Sequence, residues 1–326
     1  MHGIVRLFAV LLMGSLVTAY PSAPAFAQAT PAFGPDYPMP KFGSFDPARL
    51  DGIDPADAPI LPTLTDHARI IFERGQARGV LRDVRMFSKV GDSMTASASF
   101  LVPFGDGAYD LGEYTDLQAV IDHFRYSGTA APGVLAAPNA FNRENYANAV
   151  GFSTASALDS TWAVADVCEP NETPLACEFR IGSPAFALIM FGTNDVMAFD
   201  AALFDFFLRQ VVLETAAADV VPVLYTFPPR PEAPEQSAVF NQIILSIAAD
   251  YDLPVINLVR ALEPLPDYGV DLNDTLHLTN PELPATAATF TDAGLAAGYT
   301  VRNLITLQAL DGLLRELGVL DEPALN

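Results

Sequence analysis

Residues Val84 to Thr95 read Val-Arg-Met-Phe-Ser-Lys-Val-Gly-Asp-Ser-Met-Thr, an apolar, β-forming run that is broken at Gly91. Ser93 follows two residues later, where the chain is expected to turn. In an open α/β sheet, side chains at the carboxyl ends of parallel strands point into the crevice that binds ligands. Serine and aspartate are also favoured helix caps, so a cap is the alternative role for Ser93.

Three further apolar runs indicate the other strands of the sheet. They are continuous, as is typical of parallel strands buried on both faces, and cover Phe186 to Phe191, Val220 to Phe227 and Leu253 to Val259. Helical patterns cover about residues 65–79, 115–124, 200–217, 236–250 and 301–317. This alternation predicts an α/β fold with a parallel sheet and right-handed crossovers.

The first 27 residues have the features of a secretory signal peptide. Arg6 gives a positive start, Leu7 to Tyr20 is nearly all apolar, and Ala25-Phe26-Ala27 forms a small-residue cleavage site. We therefore expect cleavage after Ala27 and a secreted protein, extracellular or periplasmic. An uncleaved anchor is the alternative, although the apolar run is short for a membrane crossing.

The rest of the chain is predicted to form one domain preceded by an arm. Residues 28–65 are rich in Pro and Gly and show no sustained period, which predicts an extended N-terminal arm that lies over the domain or is partly disordered. Residues 66–326 then form a single α/β domain, because they contain no long linker or internal repeat.

The charge of the chain excludes one class of partner. The formal net charge is −22, with 17 Lys plus Arg against 39 Asp plus Glu, and such a chain repels the phosphates of nucleic acid. We expect no nucleic-acid partner, no stable membrane insertion after cleavage, and a monomer by default.

The two cysteines are predicted to form a disulfide. Cys168 and Cys177 are separated by eight residues in a polar loop, and in an exported chain such a pair favours one local bond. A metal site would need further Cys or His at ligand spacing, and none is near.

One of the four histidines stands out. His2 leaves with the signal peptide, and His67 and His123 lie in predicted helices, where surface or capping roles are expected. His277 follows Asp274 by three residues after the last predicted strand. In a tight loop the Asp can accept from one ring nitrogen and leave the other as a base. This Asp-His pair indicates a catalytic site only in combination with a candidate nucleophile.

Three blocks together resemble the SGNH (GDSL-type) hydrolase superfamily. They are Gly91-Asp92-Ser93, Gly192-Thr193-Asn194-Asp195, and Asp274 with His277. The resemblance implies a flavodoxin-like three-layer α/β/α sandwich with a central parallel sheet. It also implies an esterase or lipase that acts without a cofactor or metal.

The resemblance also assigns roles to individual residues. Ser93 matches the nucleophile, His277 the general base and Asp274 the acid that orients it. Asn194 matches the side-chain donor of the oxyanion hole, and Gly151 is the best match for the backbone donor. The amide of Ser93 is a third donor, and Gly128 and Gly133 are poorer matches than Gly151.

One rival nucleophile and two other functions stay open. The α/β-hydrolase fold requires a Gly-x-Ser-x-Gly turn around its nucleophile. The stretch of this chain nearest to that pattern begins Gly151-Phe152-Ser153, which makes Ser153 the alternative nucleophile to Ser93. The predicted function is a secreted serine esterase for a small-molecule, carbohydrate or lipid ester. The alternatives are a non-catalytic exported binding module and an acyltransferase. We expect residues 168–183 and 279–297 to wall the site.

Overall fold

The computed structural model describes residues 41, 43–77, 82–125 and 138–321. The predicted signal peptide, the first part of the arm (28–40) and the end of the first predicted helix (78–79) lie outside the described residues. The same is true of Gly128 and Gly133.

Four strands of the described chain form one parallel sheet in the order β1-β2-β3-β4. They are β1 (Asp83–Gly91), β2 (Pro184–Met190), β3 (Val221–Tyr225) and β4 (Val255–Ile256). In the register of the sheet, Gly91 of β1 lies opposite Met190 of β2, and Ile189 of β2 lies opposite Leu224 of β3. The parallel α/β sheet expected from the apolar runs is confirmed.

β4 is shorter than its apolar run predicts. Only Val255 and Ile256 pair with β3, because a helix begins at Leu258. Asn257 ends the strand, since its side chain accepts a hydrogen bond from the Arg260 amide and its own N–H donates to the carbonyl of Ile60.

Helices surround the sheet. The α-helices are α1 (Asp66–Ala77), α2 (Ser93–Ala96), α3 (Val102–Asp106), α4 (Gln118–Arg125), α5 (Thr154–Leu158), α6 (Pro174–Gly182), α7 (Asp195–Ala198), α8 (Ala201–Ala217), α9 (Pro234–Asp250), α10 (Leu258–Leu262), α11 (Asp292–Leu295) and α12 (Gly298–Glu316). Short 3-10 helices cover Pro47–Leu50, Thr115–Leu117, Ser160–Trp162 and Pro266–Gly269.

Neighbouring residues of β1 show that helices cover both faces of the sheet. Successive side chains of a strand point to opposite faces. The ring of Phe87 packs edge-on against Phe124 of α4, whereas Ser88 is hydrogen-bonded to Glu178 of α6. α4 also contacts α12, and α6 contacts α5 and α8. The predicted three-layer α/β/α sandwich is therefore confirmed.

The last helix covers one face with leucines, as its sequence indicates. α12 starts at Gly298, three residues before the predicted start, and Leu307, Leu310, Leu313 and Leu314 are fully buried. Burial of such side chains contributes roughly 1.5–3 kcal/mol each to the free energy of unfolding.

The described part of the arm lies against the domain. The side chain of Asn257 donates to the carbonyls of Pro55 and Ala58, and Gln242 of α9 donates to the carbonyl of Ile53. These bonds satisfy arm carbonyls in a segment that has no sheet partner.

Two further features bear on the expectations from sequence. Cys168 and Cys177 form the predicted disulfide, which links the loop before α6 to the helix itself. Among the residues that the structure describes, no helix combines the length and the apolar character that a membrane crossing requires.

Candidate active site

Ser93 lies where β1 turns into α2. The cap of this helix is Asp92, whose side chain accepts the Met94 N–H at 2.9 Å. Gly91, the last residue of β1, lets the neighbouring strand approach closely, because a Cβ there would lie 2.4 Å from the Met190 carbonyl oxygen. Ser93 is the first helical residue and is half-buried. Since Asp92 supplies the cap, the Ser93 hydroxyl is left for another partner.

That partner is His277. Its Nε2 lies 2.8 Å from Ser93 Oγ, and its Nδ1 lies 2.7 Å from Asp274 Oδ2. A carboxylate only accepts hydrogen bonds, so Asp274 assigns the ring proton to Nδ1 and leaves Nε2 as the acceptor for the Ser93 proton. The structure thus brings together the three residues predicted as nucleophile, base and acid.

The loop that carries Asp274 and His277 is held by short-range backbone bonds. Val270 and Leu278 form an antiparallel bridge, and the Asp271 N–H donates to the His277 carbonyl at 2.9 Å. Between them the loop passes through Thr275, whose φ of 55° is in the left-handed region that a β-branched residue rarely adopts.

A side-chain tether fixes Thr275. Its hydroxyl donates to Glu232 at 2.7 Å, and Arg230 bonds the same carboxylate at 3.1 Å while donating to the Thr193 carbonyl at 2.8 Å. The hydrogen bond from Thr275 holds the pKa of the Glu232 carboxyl below its ordinary value. The tether therefore links the histidine loop to the turn that carries Asn194.

Asn194 lies beside Gly151. Its Nδ2 donates to the carbonyl of Phe152, the residue after Gly151, at 2.8 Å. This bond fixes the orientation of the amide and leaves its second N–H unused. Gly151 has a φ of 84°, and within the described chain neither its amide N–H nor that of Ser93 donates a hydrogen bond. Three donors predicted for an oxyanion hole are thus free.

Asp195 holds this side of the site together. It is fully buried, and its carboxylate accepts from the amide and hydroxyl of Thr154, at 2.8 and 2.6 Å, and from the Gly192 amide at 3.1 Å. Burial raises the pKa of Asp195. No role for Asp195 was predicted from the sequence, although a carboxylate directly after a buried strand is a signal that could have indicated one.

Two buried ionisable residues, Asp92 and Arg302, lie beneath Ser93. Arg302 donates to the Met94 carbonyl at 2.9 Å and to the Thr95 hydroxyl at 3.0 Å, and its guanidinium carbon lies 3.6 Å from the centre of the Phe100 ring. Burial raises the pKa of Asp92 to about 6, and the charge of Arg302 opposes this rise. Sequence reasoning missed Arg302, because it lies in a helix recognised by its leucines.

The site opens into a shallow cleft of about 340 Å³. Polar and apolar side chains both line it: Ser93, Ala96, Ser97, Val150, Asp271, Asp274, His277, Leu278, Asn280 and Tyr299. Val150 stands next to Gly151, but Gly151 and Asn194 themselves are not part of this lining.

One of the two segments expected to wall the site contributes to the cleft and the other does not. Asn280 comes from the predicted segment 279–297. No lining residue comes from 168–183, because α6 packs against β1 and its Glu178 accepts bonds from Ser88, Arg143 and the Tyr146 amide.

The remaining candidates have structural roles. Ser153 is the N-cap of α5 and forms a capping box with Ser156, so its hydroxyl is engaged there. His67 is 5% exposed and its Nδ1 lies 2.7 Å from the Tyr251 carbonyl, which contradicts the expected surface or capping role. His123 is half-buried, and its Nε2 lies 3.0 Å from the Val84 carbonyl.

Solved structures of esterases and lipases are similar to this chain. The psychrotrophic esterase EstA from Pseudoalteromonas sp. is 16% identical, and the match covers 72% of this chain and 99% of that chain with a TM-score of 0.42. An acetylxylan esterase from Geobacillus stearothermophilus is 16% identical, and the match covers 69% of this chain and 93% of that chain with a TM-score of 0.42. A lipase/acylhydrolase from Enterococcus faecalis is 20% identical, and the match covers 51% of this chain and 74% of that chain with a TM-score of 0.35. No protein-family model matches the sequence, and the search of curated proteins found no match. At these identities and TM-scores, function is inferred from the geometry of the site.

Proposed function

We propose that the protein is a serine esterase of the SGNH (GDSL-type) superfamily that hydrolyses carboxylic esters. The observation that carries the proposal is the pair of hydrogen bonds at His277, one to Ser93 and one to Asp274, at 2.8 and 2.7 Å. A serine hydroxyl is a weak nucleophile until a base takes its proton, and this arrangement supplies that base.

In the first half-reaction, Ser93 Oγ attacks the ester carbonyl carbon and its proton passes to His277 Nε2. The carbonyl oxygen becomes an oxyanion that accepts hydrogen bonds from the Asn194 side chain and the amides of Ser93 and Gly151. The bond to the alcohol oxygen then breaks, and His277 returns the proton to the departing alcohol. Asp274 stabilises the imidazolium between these two proton transfers.

In the second half-reaction, water takes the place of Ser93. His277 removes a proton from the water, the hydroxide adds to the acyl carbon, and collapse of the second oxyanion releases the carboxylic acid and restores Ser93. The side chains of His277 and Asp274 are 31% and 44% exposed, which gives water a path to the acyl group.

The features of residues 1–27 further support the proposal that the esterase is exported, because they match a cleavable signal peptide. An exported enzyme would meet esters outside the cytoplasm.

The test is hydrolysis of p-nitrophenyl acetate by the wild type beside Ser93→Ala and His277→Ala. Removal of either residue of such a triad lowers kcat by about four to six orders of magnitude, and circular dichroism would show that the variants are folded. Full activity of folded Ser93→Ala would contradict the proposal. Inactivity of the wild type on acetate and longer-chain esters would instead favour the binding module.

A further inference from the structure

The segment before Gly151 runs along the edge of β1 that faces away from β2. Asn148 forms a parallel bridge with Gly91, the last residue of the strand. Few backbone bonds hold the segment there. The Gly91 amide donates to the Ala147 carbonyl at 3.1 Å, and the Ala149 amide donates to the Gly91 carbonyl at 3.4 Å, which is long for such a bond.

Two asparagine side chains complete this attachment. The Lys89 amide donates to Asn145 Oδ1 at 2.9 Å, and Asn148 Nδ2 donates to the Lys89 carbonyl at 2.8 Å. In a regular sheet, the backbone of a neighbouring strand would satisfy both of these groups. Side chains therefore take the place of a strand partner at this edge.

A buried carboxylate fixes the start of the same segment. Glu178 of α6 accepts the Tyr146 amide at 2.7 Å, and it also accepts bonds from Ser88 of β1 and from Arg143. Glu178 is fully buried, and the guanidinium of Arg143 balances its charge. Charge-assisted bonds of this kind are stronger than neutral ones, so residues 143–149 are held to β1 from both ends.

Gly151 lies at an exposed tip beyond this attachment. Val150 is 80% exposed, and a Cβ on Gly151 would meet no atom of the described chain within 4 Å. On the other side of the tip, the Phe152 carbonyl accepts the side-chain amide of Asn194. Because packing does not hold the tip, the bonds that flank Gly151 determine where its amide lies.

The position of this amide matters for the proposed reaction. A donor stabilises the oxyanion only when it lies about 2.7–3.1 Å from the place where the charge develops. A displacement of about 1 Å at a catalytic group can lower the rate by roughly 10²-fold. Asn148 precedes Gly151 by three residues and is not part of the cleft lining, so its effect on the reaction is indirect.

Resting on the proposed esterase function, we infer that Asn148 is a positioning residue, whose side-chain bond to β1 holds the Gly151 amide where the oxyanion forms. Since the oxyanion exists only in the transition states and tetrahedral intermediates, loss of this bond should weaken their stabilisation and leave the binding of the ester itself unchanged.

The first test is the kinetics of Asn148→Ala with p-nitrophenyl acetate. End-point titration with a fluorophosphonate counts the reactive serines, so that kcat refers to folded sites alone. We expect kcat to fall about tenfold and KM to stay within about twofold of wild type. Asn148→Ser is the milder variant, because serine is too short to reach the Lys89 carbonyl but leaves a hydroxyl for water, and it should show the same split.

A pair of ketone inhibitors separates positioning from general distortion. Ser93 Oγ adds to the carbonyl carbon of a trifluoromethyl ketone, its proton passes to His277, and the carbonyl oxygen becomes an oxyanion. The matching methyl ketone binds without this addition. We expect the inhibition constant of the fluorinated ketone to rise about tenfold in Asn148→Ala and that of the methyl ketone to stay unchanged.

Gln242→Ala is the matched control. Gln242 is half-buried like Asn148, and its side-chain amide donates to the Ile53 carbonyl at 2.8 Å, the length of the Asn148 bond. This bond joins α9 to the arm. Its loss should lower stability by a similar amount, while kcat and both inhibition constants stay within about twofold of wild type.

The outcomes separate this inference from the proposed function. If folded Asn148→Ala or Asn148→Ser keeps the wild-type kcat, or if both ketones weaken equally, Asn148 is not a positioning residue and the esterase stands. A loss of kcat in Gln242→Ala as large as that in Asn148→Ala would also contradict the inference. Activity that survives in Ser93→Ala, or a wild type inactive on every ester, contradicts the esterase itself.

Discussion

The two sides of the candidate site are held in different ways. Ser93 follows a buried strand and rests on the fully buried Asp92 and Arg302, so the packed core fixes its position. Asp274 and His277 lie on a loop with partly exposed side chains, held by a strand bridge and the hydroxyl of Thr275. Core packing contributes to the stability of the whole domain, whereas a surface tether acts locally. Substitutions beneath Ser93 should therefore change stability, and substitutions around His277 should change catalysis alone.

Outside the triad, the largest effect is expected at the proposed oxyanion donor Asn194. Asn194→Ala removes the amide that the Phe152 carbonyl orients, and the loss of one such donor lowers kcat by about 10²–10³-fold. KM for p-nitrophenyl acetate should change little, because the charge develops only in the transition state. Asn194→Asp, which keeps the shape but not the donor, should be equally impaired. A kcat of Asn194→Ala within about threefold of wild type would show that Asn194 does not donate to the oxyanion.

The second effect is on stability beneath Ser93. The pKa of Asp92 is about 6 in the folded protein against an ordinary value of 3.8. The folded state therefore binds this proton more tightly than the unfolded state, and the contribution of Asp92 to the free energy of unfolding falls as the pH rises from about 4 to about 6.

Asp92→Asn removes this titration and keeps an acceptor for the Met94 amide. Relative to wild type, the variant should gain stability between pH 4 and pH 7 by up to about 3 kcal/mol, the equivalent of the pKa shift. Urea unfolding at both pH values measures the difference. A difference in the free energy of unfolding between the two proteins that does not vary with pH would show that the pKa of Asp92 is not raised in the folded state.

The smallest effect is expected at the tether of the loop side. Thr275→Val keeps the β-branched shape but removes the hydrogen bond to Glu232. Such a bond contributes about 1 kcal/mol, and we expect its loss to position His277 less well in the transition state and so to lower kcat roughly five- to tenfold. The urea midpoint should stay near that of wild type.

Glu232 provides the controls for this tether. Glu232→Gln keeps an acceptor for Thr275 and should retain more activity than Glu232→Ala. Because both residues act through one hydrogen bond, Thr275→Val combined with Glu232→Ala should be no worse than the poorer single variant. Additive losses in kcat would show that the two residues act separately.

The same contrast explains what the sequence could predict. β1 and β2 were predicted because continuous apolar runs are a local signal, and Ser93, Asn194, Asp274 and His277 because they occur in short patterns. The tether was not predictable, since Thr275 and Glu232 are 43 residues apart. Arg302 was missed for a similar reason, because its partners Met94 and Thr95 lie more than 200 residues earlier.

The errors also came from tertiary contacts. β4 ends early because the Asn257 side chain caps α10 and its amide pairs with the arm, neither of which an apolar run reveals. The segment 168–183 was expected at the site, but Glu178 binds Ser88 and Arg143 on one face of the sheet. The position of a buried charged side chain can be predicted from the sequence only when its partner is known.

The most direct test of the central claim, that Ser93 is the nucleophile activated by His277, is covalent labelling with a fluorophosphonate followed by mass spectrometry. A phosphonylating agent reacts with an activated serine and stays attached to it. We expect one label per molecule, on the peptide that contains Ser93, slow labelling of His277→Ala, and no label on Ser93→Ala. Labelling at Ser153 or another serine, with Ser93 unmodified in an active enzyme, would contradict the assignment.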